Sequence, residues 1–328
     1  MGSTQSLLKI LSDGEFHSGE DLGASLGVSR AAVWKQLKKL ETMNIPLNSV
    51  KGRGYRLPEA VQLLNEEQLA NHGCPLERFA SHEVHLSLDS TNNQMMKQAE
   101  NNLLQKHICF AEMQTSGRGR RGRTWVSPFA RNLYFSLLWP FSQGVAAIQG
   151  LSLAVGLAIH RAIRQLGVDG SLLKWPNDIL AKHNGVYSKL GGILIELTGD
   201  MSDACQVVIG VGLNLDVRVQ DLTHIDQSAV GLKQLGLEKD RNEIASIVVK
   251  HLVEVLDEFE RSGFAVFADE WNRANAYEDQ EVRLILPSCE IAGVCKGVNA
   301  KGELILQADN GDQVFNAGEV SLRLGDGS

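Results

Sequence analysis

The pattern of hydrophobic and polar positions predicts three short helices near the amino terminus. Residues 4–11 carry apolar side chains at helical spacing. Ser18 stands three positions before an acidic residue, as an N-cap does, and begins a second helix that reaches Leu26. Ser29 caps a third helix, residues 30–42, whose apolar residues form one stripe while its basic residues lie largely off that stripe.

A hairpin pattern follows the third helix and completes a winged helix-turn-helix, which we assign to residues 1–60. Residues 48–57 are typical of two strands with Lys51-Gly-Arg-Gly54 at the turn. Two short helices joined by a glycine turn, the second of them basic, are typical of DNA-binding proteins. Our candidates for DNA contact are Ser29, Arg30 and Lys35 on the helix and Lys51 and Arg53 on the wing. Helix pairs of this shape also dock other proteins, so that alternative stays open.

From residue 66 to residue 274, strand-like and helical segments alternate, which predicts an α/β domain. The segments typical of strands are 84–88, 107–112, 132–139, 186–196 and 208–215, together with 171–178, which ends in a proline turn. Residues 151–166 form an amphipathic helix, and Asp89-Ser-Thr-Asn92 caps another. Residues 58–65 are a connector, and the tail 280–324 is rich in strand patterns. A chain of this length can hold two or three separate cores.

The densest chemistry lies in the segment Gln114-Thr-Ser-Gly-Arg-Gly-Arg-Arg-Gly-Arg-Thr-Trp125. Its glycines let the backbone fold closely around a ligand, and its arginines offer planar sets of donors that suit phosphates and carboxylates. The glycines are Gly117, Gly119 and Gly122, and the arginines are Arg118, Arg120, Arg121 and Arg123. Because so many like charges repel one another, we expect an anion such as a nucleotide or an acyl phosphate to bind among them.

The same segment contains a Gly-x-Gly-x-x-Gly string, but its surroundings do not fit a dinucleotide-binding motif. That motif needs a helix directly after the loop and an acidic residue about 20 positions further on. Here Thr124-Trp-Val-Ser-Pro128 follows, then a predicted strand, and no acid lies near residues 141–143. We therefore interpret the segment as an arginine-rich anion site, with a solvated basic loop as the alternative.

The net charge of −7 conceals an asymmetry between the two ends of the chain. Residues 1–57 carry eight basic and five acidic residues, a net +3, and the remainder carries 24 basic and 34 acidic residues, a net −10. A locally basic end favours a nucleic-acid partner for that module. No segment is apolar for the ~18 residues of a membrane span, and no signal peptide is evident. Five scattered cysteines without a Cys-x-x-Cys pair favour reduced thiols in the cytoplasm, and we assign no metal-ligating residues.

Three further segments place polar residues at strand ends or beside glycines. Ser90 and Thr91 lie at a strand-to-helix junction, where they serve either as caps or as contacts for polar ligand groups. Lys189 precedes Gly191-Gly192, which would let a ligand lie against the backbone, although a solvent-facing lysine is the alternative. Residues 208–215 repeat the combination of strand, glycines and one polar residue, Asn214.

These motifs, in this order, resemble the biotin–protein ligases. The match rests on Gly-Arg-Gly-Arg-Arg-Gly-Arg-x-Trp (117–125), Lys-Trp-Pro-Asn-Asp (174–178), Lys-Leu-Gly-Gly-Ile-Leu-Ile-Glu (189–196) and Gly-x-Gly-Leu-Asn (210–214). With the amino-terminal module, the whole chain resembles the bifunctional members, which combine ligase and biotin operon repressor. The resemblance implies a multidomain fold: an all-α winged helix-turn-helix (1–60), a class II synthetase-like α/β catalytic domain with a mixed sheet (66–274), and a small all-β, SH3-like domain (278–326).

The resemblance also implies a reaction, its cofactors and its partners. Biotin and ATP, with Mg²⁺, give biotinyl-5′-AMP and pyrophosphate, and a lysine of the apo-biotin carboxyl carrier protein then receives the biotinyl group. The adenylate-bound protein would form a homodimer that binds operator DNA, and the carrier protein would compete for the same surface. No membrane takes part in this scheme.

Carried over residue by residue, the resemblance implies three sets of site residues in the central domain. The catalytic set is Lys189, Arg118, Arg120, Arg121 and Asp178. The biotin-binding set is Ser90, Thr91, Asn92, Gln114, Arg118, Gly119, Arg120 and Lys189. The adenylate-binding set is Gly117, Gly122, Trp125, Asn177, Gly210, Gly212 and Asn214.

Among these residues, the role implied for Asp178 leads to the most specific expectation for a substitution. The arginines would neutralise phosphates, and Lys189 would bind the biotin carboxyl or the bridging phosphate oxygen. Asp178, with Asn177, would help to place Mg²⁺. In the second step Asp178 would receive or orient the proton of the incoming lysine. Asp178→Asn would then slow transfer and leave adenylate formation mostly intact.

Two departures from the family pattern and two alternative functions remain. Ala130-Arg131 follow Phe129, where repressor-type members usually have glycine, and residues 227–232 lack the aromatic expected against adenine. A lipoate or octanoate transferase would use a related fold and a similar lysine. A metabolite-sensing repressor without catalysis would use the central domain only to bind biotin or its adenylate.

Overall fold

The chain folds as three successive parts, each with its own secondary structure. The computed structural model describes residues 3–101, 105–142, 144, 148–198, 205–218, 221, 227–287, 289–308, 311–317 and 320–325. A helical part with a hairpin comes first, a seven-stranded sheet with helices second, and a five-stranded sheet last. None of the helices within these ranges is long and apolar enough to span a membrane.

The amino-terminal part has the predicted helices and hairpin. Its elements are α1 (Ser3–Leu11), α2 (Gly19–Leu26), α3 (Arg30–Thr42), β1 (Asn48–Val50) and β2 (Gly54–Arg56). The hydroxyl oxygens of Ser18 and Ser29 cap α2 and α3 by accepting hydrogen bonds from the backbone of Asp21 and Ala32. Leucines of the three helices form the core of this part, and Leu57, which follows the hairpin, belongs to the same buried cluster. The local pattern of caps and apolar stripes was therefore sufficient to predict this part.

The central part is built on a mixed sheet in the order β3-β4-β5-β9-β8-β7-β6. Its strands are β3 (Ser81–His85), β4 (His107–Ala111), β5 (Leu133–Phe141), β6 (Ser171–Lys174), β7 (Asp178–His183), β8 (Val186–Thr198) and β9 (Cys205–Leu213). β3 and β4 pair in parallel, and the other neighbours pair antiparallel. The mixed α/β sheet implied by the resemblance is thus confirmed.

Helices cover both faces of this sheet. They are α4 (Glu66–Asn71), α5 (Thr91–Asn101), α6 (Leu151–Gln165), α7 (Arg241–Ser262) and α8 (Ala268–Arg273). Met95 of α5 packs with Cys109 and Leu138 on one face. Their strand neighbours Ile108 and Leu137 belong to the larger core, which includes α6 and α7. Because successive side chains of a strand point to opposite faces, the sheet is buried on both sides.

The carboxy-terminal part is an antiparallel sheet in the order β13-β12-β11-β10-β14. Its strands are β10 (Glu281–Ile285), β11 (Glu290–Val298), β12 (Leu304–Ala308), β13 (Gly311–Phe315) and β14 (Ser321–Leu324). The buried indole of Trp175 donates a hydrogen bond to the carbonyl of Gly302 at 3.1 Å, which ties this sheet to the central part. The last strand, β14, reaches the cavity described below.

A buried ion pair holds the connector between the first two parts. Glu112 is fully buried and Arg241 is 6% exposed, and Arg241 Nη1 lies 2.7 Å from Glu112 Oε2. Arg241 also donates to the carbonyl of Gln62, and Glu112 accepts from the backbone of Leu64. Since a buried charge requires such compensation, the pair fixes the connector against the central core.

Strand β7 (Asp178–His183) was not predicted, and among the strand limits that differ from the predicted ones, two differ for a common reason. The first central strand is Ser81–His85 rather than 84–88, and β9 begins at Cys205 rather than at 208. Ser81, His82 and Glu83 lack an apolar pattern, but parallel pairing with β4 satisfies their backbone groups. Beyond His85 the strand continues only as an isolated bridge between Leu88 and Gln114. Pairing with a distant strand, which local pattern does not report, decides these limits.

Candidate functional site

One cavity collects most of the predicted site residues. It lies where the loop 114–125, the strands β8 and β9 and the last strand of the chain meet. The predicted residues that line it are Ser90, Thr91, Asn92, Gln114, Arg118, Gly119, Arg120, Arg121, Trp125, Asn177, Asp178, Lys189, Gly210, Gly212 and Asn214. Gly117 and Gly122, which we predicted to bind the adenylate, do not belong to this lining.

Backbone hydrogen bonds fold the loop 114–125 back on itself. The backbone N–H of Gly119 donates to the carbonyl of Arg123, and that of Trp125 donates to the carbonyl of Gly117. A Cβ at Gly117 would lie 2.5 Å from the Trp125 carbonyl oxygen, so a larger residue does not fit there. Gly122 has a φ of 68°, a conformation that glycine adopts at no steric cost. Both glycines therefore shape the loop.

A network of neutral polar groups forms one wall of the cavity. The side-chain carbonyl of Gln114 accepts hydrogen bonds from the backbone N–H of Thr91 at 2.9 Å and from its hydroxyl at 3.2 Å. The hydroxyl of the fully buried Ser136 lies 2.7 Å from Thr91 Oγ1 and 2.6 Å from Asn92 Oδ1. Oriented amides and hydroxyls of this kind suit a polar, uncharged ligand group.

Two lysines share one carboxylate in the same cavity. Lys189 Nζ lies 2.6 Å from Asp178 Oδ1, and Lys174 Nζ lies 3.2 Å from Asp178 Oδ2. Burial by itself raises the pKa of Asp178, but Lys189 and Lys174 outweigh it and lower the pKa to about 2. Burial lowers the pKa of Lys174, which Asp178 opposes. Asp178 is therefore ionised at neutral pH and compensates the charge of both lysines.

Glycines of β9 make room for two side chains of the cavity. A Cβ on Gly212 would lie 2.5 Å from the Trp125 ring, and one on Gly210 would lie 2.1 Å from Asn92 Oδ1. The Trp125 indole in turn lies 5.3 Å from Lys189 Nζ, measured to the ring centroid, which is within cation–π range. The absence of a side chain at these two glycines thus lets Trp125 and Asn92 occupy their positions.

The cavity has a large excess of positive charge. Among its lining residues in the described part of the chain, Asp178 is the one acid. Seven lining residues are basic: Arg118, Arg120, Arg121, Arg123, Lys174, Lys189 and Arg323. Such a cavity suits two anionic reactants that would otherwise repel each other.

The geometry of Asp178 and Asn177 does not fit a protein-bound magnesium ion. Each carboxylate oxygen of Asp178 faces a lysine ammonium group, which would repel a divalent cation. The Asn177 side chain accepts a hydrogen bond from Arg120 and donates one to the carbonyl of Ile193. The expectation that these two residues help to place Mg²⁺ therefore has no support in their contacts.

Four residues of the site were not predicted from the sequence. Lys174 and Glu196 belong to the motifs 174–178 and 189–196, so a signal was present but had no assigned role. Ser136 is a polar residue inside the apolar run of β5, which is a weaker signal. Arg323 enters the cavity from the last strand of the chain, and no local pattern indicates that placement.

The residues predicted to contact DNA are exposed on the amino-terminal part. They are Ser29, Arg30 and Lys35 of the third helix and its cap, and Lys51 and Arg53 at the turn of the hairpin. The guanidinium of Arg53 lies 4.2 Å from the ring centroid of Phe16, which belongs to the segment between α1 and α2. Trp34 of α3, which we did not single out, is 57% exposed.

Comparisons with known proteins match all three parts of the chain. A family model for biotin/lipoate A/B protein ligases matches residues 85–214, one for a helix-turn-helix domain matches 4–56, and one for the biotin protein ligase C-terminal domain matches 279–323. The bifunctional ligase/repressor BirA of Escherichia coli (strain K12) is 39% identical, over 97% of this chain and 96% of that protein. The chain belongs to the biotin protein ligase family.

Two further relatives show how far the likeness to this family extends. The bifunctional ligase/repressor BirA of Bacillus subtilis (strain 168) is 27% identical over 94% of each chain. The solved structure of a biotin protein ligase from Aquifex aeolicus in complex with biotin and ATP has a TM-score of 0.64 and 28% identity, covering 75% of this chain and all of that one. Our chain thus carries a helix-turn-helix domain ahead of the residues that match the ligase family, and the likeness to the bifunctional ligase/repressor extends over 97% of its length.

Proposed function

We propose that this protein activates biotin with ATP and transfers the biotinyl group to a lysine of the apo-biotin carboxyl carrier protein. It is a biotin–[acetyl-CoA-carboxylase] ligase and also a biotin-responsive repressor. The observation that carries the ligase function is the cavity, in which seven basic residues and one partly buried carboxylate stand beside a neutral polar network. We assign the reaction to the cytoplasm, where ATP and reduced thiols are present.

In the first step a carboxylate oxygen of biotin attacks the α-phosphorus of ATP, and pyrophosphate leaves. Both reactants are anions, so positive charge and positioning supply most of the catalysis. The positive charge comes from Arg118, Arg120 and Arg121 of the loop 114–125 and from Lys189 of the sheet. The polar network of Thr91, Asn92 and Gln114 holds the uncharged part of biotin. Mg²⁺ accompanies ATP as part of the substrate, and we assign it no protein ligand.

In the second step the ε-amine of the acceptor lysine attacks the acyl carbon of biotinyl-5′-AMP, the bond to the phosphate breaks, AMP leaves, and the amine releases its proton to solvent. Asp178, with its low pKa, is a weak proton acceptor. Its contacts favour an orienting role: it holds Lys189 beside the reacting group. Trp125 and Asn214 flank the adenylate in this proposal, together with Gly210 and Gly212 of β9.

We further propose that the adenylate favours a homodimer that binds operator DNA. A ligand stabilises whichever state binds it more tightly, so an ordered loop 114–125 would favour the dimer surface around it. A two-fold dimer would present two winged helices to a symmetric operator. The proposed domain boundaries are 1–60, 66–274 and 278–326, and the matched ranges 4–56, 85–214 and 279–323 lie within them.

The test is the transfer of labelled biotin to a purified apo-carrier domain with ATP and Mg²⁺. We expect labelling by the wild-type protein and a loss of roughly a hundredfold or more in Lys189→Ala, because a cation that stabilises developing charge is removed. Circular dichroism of both proteins controls for folding. No labelling by folded wild-type protein would contradict the ligase function. Labelling with lipoate in place of biotin would instead indicate the lipoyl alternative.

A further inference from the structure

Glu196 is the last residue of the motif 189–196, and neither half-reaction described above uses it. It lies on β8, opposite Val208 of β9, and its side chain is 25% exposed. It does not line the cavity. Its carboxylate nevertheless contacts two residues that do.

A single oxygen of Glu196 connects the wall of the cavity to the loop above it. Oε2 accepts hydrogen bonds from Asn92 Nδ2 at 2.7 Å and from Arg118 Nη2 at 3.1 Å. The opposite end of the Asn92 amide, Oδ1, faces the Ser136 hydroxyl at 2.6 Å. Glu196 and Ser136 together therefore fix which way the Asn92 amide points.

The loop 114–125 is attached to the rest of the domain through its arginines. Arg118 Nη2 contacts Glu196 and also donates to Asn93 Oδ1 at 2.6 Å. Arg120 donates to Asn177 Oδ1 at 3.0 Å. Of these acceptors only Glu196 is charged, so its contact with Arg118 is an ion pair, whereas the other two are hydrogen bonds to neutral amides. The carboxylate thus adds a charge–charge attraction to these side-chain attachments of the loop.

We propose that Glu196 is a positioning residue that fastens Arg118, and with it the loop 114–125, over the adenylate between the two half-reactions. The consequence of this attachment is that biotinyl-5′-AMP is retained, and this consequence rests on the proposed ligase function. A closed loop keeps water and bulk solvent from the acyl phosphate and slows its escape.

The first experiment measures the attachment without any ligand. Glu196→Gln keeps an acceptor for Asn92 but removes the charge that holds Arg118. We expect trypsin to cleave after Arg121 and Arg123 roughly three- to tenfold faster in this variant, the range for a partly exposed charged hydrogen bond. Glu270→Gln is the matched control, because Glu270 also pairs with an arginine at similar exposure, but its partner Arg161 lies on α6 and not on the loop 114–125. Wild-type cleavage rates in Glu196→Gln would overturn the proposal.

The second experiment asks whether Glu196 acts through Arg118. We expect biotinyl-5′-AMP to leave Glu196→Gln roughly three- to tenfold faster than the wild type, and Arg118→Gln to have at least as large an effect, because it also removes the contact with Asn93. The double variant should lose little more than Arg118→Gln alone, because both changes remove the contact between Arg118 and Glu196. Additive losses would overturn the proposal. If the wild-type protein forms no adenylate, the ligase function fails, while the trypsin result still decides the attachment.

Discussion

At the scale of single residues, the arrangement around Asp178 changes the role expected from its motif. A catalytic aspartate that accepts a proton needs a pKa near the working pH. Here Lys189 and Lys174 each contact one oxygen of the carboxylate and lower its pKa to about 2. The group therefore stays ionised through the physiological range. Its chemistry is to hold two ammonium groups in a buried place where they would otherwise repel each other.

Asp178→Asn should consequently impair both half-reactions, in contrast to the expectation drawn from the sequence. An amide cannot balance two ammonium groups, so Lys189 loses its position; we expect each rate to fall roughly a hundredfold. Biotin-dependent pyrophosphate exchange measures the first step, and single-turnover transfer from purified adenylate measures the second. Asp257→Asn, which removes a carboxylate outside the cavity, is the matched control. Normal exchange with slow transfer would restore the proton-handling role.

Most residues of the cavity were predictable because they lie in compact motifs whose chemistry is visible locally. Arginines among glycines indicate an anion site, and a lysine beside two glycines indicates a ligand. Ser136 and Arg323 were not predictable, since tertiary structure decides their positions: the register of β5 places Ser136 behind Thr91 and Asn92, and the packing of the last strand brings Arg323 to the cavity. The roles of all these residues stay predictions until they are measured.

At the scale of elements, the predicted limits were correct where a local sequence pattern determines them. They were wrong where pairing with a distant strand determines them. Helix α3 has the predicted bounds, because the Ser29 cap and one apolar stripe determine both its start and its buried face. Strand β3 does not, because its polar residues pair with β4 from a distant part of the sequence. Ala130 takes a φ of 53°, so the turn that usually has glycine keeps a left-handed conformation with alanine.

Helix α3 also presents an exposed indole among its basic residues, which leads to a prediction about DNA. Trp34 is 57% exposed, with Lys38 Nζ 5.9 Å from its ring centroid. An apolar side chain on a recognition helix reads bases through contacts such as those with thymine methyl groups. We expect Trp34→Ala to weaken operator binding about tenfold, within the range for one lost base contact, without changing the salt dependence.

The dependence of operator binding on salt concentration distinguishes a base contact by Trp34 from a phosphate contact by a basic residue. Lys35→Ala should weaken binding to all sequences and reduce the slope of log K against log salt by about one, because a phosphate contact is lost. Fluorescence anisotropy with operator and scrambled DNA measures both quantities. Labelling of the carrier domain should remain unchanged in Trp34→Ala. Wild-type operator affinity in that variant would place the indole outside the DNA interface.

At the scale of the whole molecule, the winged helix-turn-helix packs on the residues that flank the ligand loop. Met113 and Phe129, one on each side of residues 114–125, belong to the same buried cluster as the leucines of α1, α2 and α3. Glu112 is the residue directly before Met113. It pairs with Arg241 and accepts a hydrogen bond from Leu64, so this ion pair fixes the connector beside Met113. Ordering of the loop 114–125 would therefore change the position of the winged helix-turn-helix through contacts that already exist in the fold.

This arrangement predicts that biotin with ATP raises both dimerisation and operator affinity, and that Phe129→Leu reduces the gain. The substitution nearly conserves volume, which keeps the cost in folding free energy below about 1.5 kcal/mol and leaves the cavity residues in place. Sedimentation velocity and operator anisotropy, each with and without biotin and ATP, measure the coupling. Because coupling is reciprocal, operator DNA should tighten adenylate binding by the same factor. Equal values with and without ligand would refute the link, and a full gain in Phe129→Leu would exclude Phe129 from its route.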